Sequence, residues 1–158
     1  MSADDILRFC WSLAALLYAV GVGALTLTLL RAWAADNHLE RHVLCQLADR
    51  AHTRLLLPGI IGVGVLGAIW AIISDHVDPV GTGWLLAVEV LYLIALFVLV
   101  PGMFAGLRRM RLLSLQARKT GRISAELQDA LDDRGPLVFA LLMCVLLPVQ
   151  AALVTLQP

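Results

Sequence analysis

The sequence predicts an all-α integral membrane protein, a four-helix bundle, and three observations carry that prediction. Four long apolar runs extend from Phe9 to Leu30, Leu55 to Ile73, Gly83 to Leu107 and Leu137 to Leu156. Glu89 is the one charged residue inside them, and basic residues are sorted onto alternate loops. A helix needs about 20 mostly apolar residues to cross the hydrocarbon core, and each run has that length. The 158 residues are 60% apolar and 15% charged, against roughly one quarter charged in soluble proteins. Four spans leave no room for a separate soluble domain, so residues 1–158 are expected to form one membrane domain.

The chain starts with an acidic flank, Asp4 and Asp5, where a secretory signal would be basic. The first apolar run is also too long for a signal core, so it is expected to be retained as a span. Within it Ala15, Ala19 and Gly23 lie four apart, a small-residue ladder of the kind that lets helix backbones approach. After it, Asp36 or Asn37 is placed to cap a helix over 38–54 that runs on into the second span. That span carries its own small-residue pairs, Gly64 with Ala68 and Gly67 with Ala71.

The third span ends near a Gly102-x-x-x-Gly106 pattern, and its helix is expected to continue from Leu107 to Ala117 into the headgroup layer. Ile123, Leu127 and Leu131 then recur every four residues among acidic neighbours, which predicts a short amphipathic helix between spans three and four. Gly135 is expected to end it and Pro136 to open the fourth span. Pro58, Pro101 and Pro148 fall inside or near the spans; Pro148 removes a hydrogen bond to the Cys144 carbonyl and predicts a kink.

Lysine and arginine in short loops mark the cytoplasmic side. The first loop carries Arg31, Arg41, Arg50 and Arg54, and the third carries Arg108, Arg109, Arg111, Arg118, Lys119, Arg122 and Arg134. These are eleven of the twelve basic residues. The middle loop has none, but holds Asp75 and Asp78. Both termini are therefore expected outside, with both large loops and the amphipathic helix in the cytoplasm. Trp11, Trp33, Trp70 and Trp84 fall near span ends as interfacial anchors. Arg108, Arg109 and Arg111 are placed to contact lipid headgroups, each adding about 1 kcal/mol near an anionic surface.

No catalytic motif stands out. Glu89 is the leading polar candidate, six residues inside the third span and so roughly 9 Å deep. Ionisable groups at such depth usually face the bundle interior and mark function. Gln150 lies six residues from the end of the fourth span, so the two are expected to share a depth and a hydrogen bond, with Trp11 or Ser12 at a comparable level. The functional reading is a buried proton relay or the polar wall of a quinone pocket; the structural reading is a carboxyl that holds helices or subunits together. His38 and His42 stand at i and i+4, and His42, Cys45, Asp49 and His52 share a helical face, a ligand spacing for zinc or copper. Interspersed arginines oppose a cation there, and a solvated face explains the same residues. Cys10, Cys45 and Cys144 have no pairing logic. No histidine lies within a span, so this chain alone offers no intramembrane bis-histidine haem site.

The order of features resembles a bacterial family of predicted four-helix integral membrane proteins, remotely similar to the J-type protoporphyrinogen oxidases and the copper-resistance D proteins. The residues that carry it are Ala48-Asp49-Arg50, then Leu57-Pro58-Gly59 and Gly67, then Trp84 through Tyr92 and Pro101. Arg109-Met110-Arg111 with Ala117 and Gly121, and the tail Gln157-Pro158, complete it. The resemblance implies a bacterial inner-membrane location and allows a bound haem or quinone. Where the oxidase group carries a haem histidine early in its first span, this chain reads Arg8-Phe9-Cys10-Trp11, and the expected third-helix lysine is not evident.

Three functions follow. The first is a non-catalytic accessory or assembly subunit of a larger membrane complex, with no cofactor of its own. Its partners are the lipid bilayer and other membrane subunits or further copies of itself, and nucleic acid is not among them. The second is a haem- or quinone-linked oxidoreductase, and the third an oligomeric small-molecule or ion permease.

Overall fold

A computed structural model describes residues 3–35, 38–73, 83–120 and 124–156, and the secondary structure of these residues is all helical. Helix α1 spans Ala3–Ala34. Helices α2 (His38–Ala51) and α3 (Leu57–Ile73) are joined end to end by a π-helical segment, His52–Leu56. Helices α4 (Gly83–Ile94) and α5 (Val100–Thr120) are joined in the same way by Ala95–Leu99. The short α6 (Ala125–Asp132) precedes α7 (Gly135–Leu156). Among the described residues four helices are long and apolar enough to cross a membrane: Asp4–Ala34, Glu40–Ile73, Gly83–Ala117 and Ala125–Thr155. This is the architecture of a multi-pass membrane protein.

Each π segment is followed at the second residue by a proline, Pro58 or Pro101. Proline lacks an N–H and its ring crowds the carbonyl four residues back. The turn before it widens, and the N–H of Leu57 reaches the His52 carbonyl while that of Val100 reaches the Ala95 carbonyl. The widening resets the helical phase. Ala48, His52, Leu56 and Ile60 are buried at strict four-residue spacing, as are Ala95, Leu99, Met103 and Leu107. A regular α-helix would drift by roughly 120° over three such steps; the wider turn holds both series on one face. The third proline has no such effect: α7 runs through Pro148 without a π turn.

The core lies at the arginine-rich end. Tyr18, Val22, Leu25 and Leu29 of α1 meet Leu56, Ile60, Met103, Leu107, Ala140 and Met143. At the opposite end α1 before Tyr18, α3 beyond Ile60, all of α4 and α7 beyond Met143 hold no buried residue among those described. The bundle is packed at one end and open at the other.

Helix α1 meets the π segment and the start of α3 backbone to backbone. A Cβ at Gly21 would lie 2.6 Å from the Leu56 nitrogen, and one at Gly59 would lie 2.5 Å from the Tyr18 nitrogen. The predicted ladder residue Gly23 instead faces open space, with nothing within 4 Å. Gly102 and Gly106 do make a contact, admitting the Phe139 ring and Pro136 of α7.

Helix α6 docks Leu127, Ala130 and Leu131 against Met110 of α5. Its first turn is capped by Ser124, whose Oγ accepts the Leu127 N–H at 3.2 Å. Ile123, and the proposed caps Asp36 and Asn37, lie outside the described residues. Gly135 does not close α6, as the sequence predicts. It opens α7, because the Asp133 carboxylate accepts its N–H at 2.9 Å after α6 has ended at Asp132.

Candidate functional site

Glu89 is exposed on α4 and does not face the bundle interior. Its exposed neighbours Leu86, Val90 and Leu93 are apolar, so the carboxyl stands on a surface otherwise suited to lipid tails. The inward positions of α4 go to Tyr92, whose hydroxyl donates to the Ile60 carbonyl at 2.7 Å. Sequence depth marks Glu89 as unusual but gives no direction around the helix. The reason for its outward position lies in the phase that Tyr92 and the following π segment impose.

The expected pairing with Gln150 is not formed. Gln150 is half-buried and its Nε2 is enclosed without a hydrogen-bond partner. Ser12, proposed at the same level, donates to its own helix at the Arg8 carbonyl, 2.8 Å away. Trp11 lies instead beside Gly67, and Trp70 donates to the Asp4 carboxylate at 3.0 Å. Both polar groups of the sequence-predicted site thus lie in the loosely packed half. One points outward and the other is enclosed and unsatisfied.

The residue that sequence reasoning undervalued is His52. It is 0% exposed, and neither ring nitrogen has a hydrogen-bond partner. The Phe104 ring stacks on it with centroids 5.7 Å apart and planes 26° apart. A buried polar group without a partner costs about 1–3 kcal/mol. The available signal was the four-residue series Ala48, His52, Leu56, Ile60; at 3.6 residues per turn His42, Cys45, Asp49 and His52 also fall within an arc of about 80°, and ligand spacing favours that face. Haem or quinone would find one enclosed imidazole here. With 0% exposure and Phe104 across its face, His52 as packed has no open side to receive either group.

The described members of the predicted metal ladder, His42, Cys45, Asp49 and His52, do not converge on one ion. His42 Nε2 is 2.9 Å from the Gln46 amide, Cys45 packs beside the Met110 and Leu131 cluster, and Asp49 accepts from Arg111 at 3.3 Å. The side chain of His38 lies outside the described residues. Among the described residues no three His, Cys, Asp or Glu side chains converge to hold an ion.

The three arginines assigned to headgroups separate. Arg111 pairs with Asp49 and ties α5 to α2, much as Arg41 ties α2 to α6 through Asp132 at 2.9 Å. Arg108 and Arg109 are exposed and line an open groove with Phe104, Leu112 and Glu126. Comparison with family models, curated proteins and solved structures found no match to the chain.

Proposed function

We propose that this chain is a non-catalytic accessory or assembly subunit of a larger complex in the bacterial cytoplasmic membrane. Both termini face outside, and the arginine-rich loops and the amphipathic α6 lie at the cytoplasmic surface. The observation that carries the reading is the outward Glu89. An ionised side chain costs about 3 kcal/mol at a helix centre on insertion scales and less towards the ends; Glu89, roughly 9 Å inside its span, bears part of that cost, and a lipid-facing carboxyl gains nothing in return. A neighbouring subunit that offers a hydrogen-bond donor or a cation at this depth removes the cost. The loosely packed half around α4 gives such a neighbour the space to dock, and enclosed Gln150 lies in that same half.

The test is gentle purification of the wild type and of Glu89→Leu from host membranes, read by native mass spectrometry. Leucine suits a lipid-facing position, so the variant is expected to fold. The wild type is expected to carry other polypeptides in fixed stoichiometry, and Glu89→Leu to lose most of them. A wild type that emerges alone, or a variant that keeps its partners undiminished, contradicts the proposal.

A further inference from the structure

We infer that the groove between α5 and α6 binds an aminophospholipid, with its phosphate on Arg108 and Arg109 and its ammonium on Glu126. The groove is open, about 470 Å³, and all three charged side chains line it. None of the three has an ion-pair or hydrogen-bond partner among the described residues. Arg111, one turn on, shows the contrast: its guanidinium is spent on Asp49.

Position along the helix supplies the second argument. Phe104 and Ala105 line the groove just before the apolar run ends at Leu107, and Arg108 and Arg109 follow immediately. An acyl chain fits the apolar wall of Phe104 and Ala105 on the membrane side of the groove, while the phosphate meets the arginines at headgroup level. Soluble phosphate would leave that wall unused. Guanidinium groups bind phosphate oxygens through charge-assisted hydrogen bonds.

Charge chooses among phospholipids. Glu126 shares the groove with the two arginines without neutralising either. A headgroup that is only anionic would meet this carboxylate as a like charge. One that carries both a phosphate and an ammonium pairs every charged group in the groove. Among such heads the assignment falls on phosphoethanolamine, whose primary ammonium donates hydrogen bonds to a carboxylate as a quaternary one cannot, and which lacks the further carboxylate of a serine head; it does not depend on the chain being an accessory subunit.

The test uses the purified full chain titrated with dioleoyl phosphatidylethanolamine or dioleoyl phosphatidylglycerol, with bound lipid counted by native mass spectrometry. The wild type is expected to retain the ethanolamine lipid over the glycerol lipid. Arg108→Gln with Arg109→Gln is expected to weaken retention by roughly tenfold or more, since both charged contacts to the phosphate are lost. Glu126→Gln is expected to shift the preference towards the glycerol lipid, a ratio that a general loss of stability would not move. Arg50→Gln, at an exposed arginine of α2, is expected to leave both lipids unchanged. Equal or greater retention of the glycerol lipid by the wild type overturns the assignment. So does an unaltered lipid ratio in Glu126→Gln, or full retention by the double arginine variant.

Discussion

At Gly21 and Gly59 the side chain is a single hydrogen because the facing helix backbone occupies the space where a Cβ would go. The two positions are reciprocal: Gly21 meets Leu56, and Gly59 meets Tyr18. Backbone atoms cannot swing aside as a flexible side chain can. Gly21→Ala and Gly59→Ala are each expected to destabilise the bundle by about 1–3 kcal/mol, the usual range for overpacking. Gly23→Ala, two residues away in open space, is expected to be neutral or slightly stabilising, since alanine is the better helix former. Thermal unfolding in detergent separates the three. The sequence shows that α1 is rich in small residues, yet the i+4 ladder of Ala15, Ala19 and Gly23 singles out the wrong glycine. Which small residue meets a neighbour depends on the crossing angle and phase of both helices, and one chain's spacing holds neither. Glu89 repeats the lesson: its depth is legible along the sequence, its direction around the helix is not.

At the scale of elements, the four spans are legible because hydrocarbon thickness fixes their length. The continuations of the second and third spans beyond the apolar runs are legible too, as helical patterns over 38–54 and 107–117. The two π segments are not. A proline signals a break or kink, and the response here is a wider turn that keeps a four-residue rhythm on one face. That rhythm takes His52 into the core and away from the His42 and Asp49 face. Helix α6 rests on less: eight residues, one cap and three docked side chains. Isolated helices of this length are unstable in water, so Ser124→Ala, which removes the Oγ acceptor of the Leu127 N–H, is expected to cost about 1 kcal/mol. Hydrogen exchange should quicken across Ala125–Asp132 while α5 and α7 stay protected. Exchange left unchanged in α6 would mean that docking alone holds the helix.

At the scale of the molecule, the core and the cross-helix ion pairs Arg41–Asp132 and Arg111–Asp49 gather at one end. Exposed pairs of this kind each contribute at most about 1 kcal/mol, so apolar packing between the helices carries most of that end's cohesion. The opposite half has no fully buried residue among those described, yet it holds the outward Glu89 and the enclosed, unsatisfied Gln150. A membrane helix gains little by leaving a carboxyl to the lipid, and on the proposed function another subunit against α4 would complete this half. Photo-crosslinking in host membranes tests this directly, with a photoreactive residue placed at Val90 or Leu93, and at Leu16 on the exposed face of α1 as the control. The accessory-subunit account predicts a covalent adduct with a different polypeptide from the α4 positions and lipid adducts alone from Leu16. Lipid adducts alone from Val90 and Leu93, as from Leu16, would contradict it.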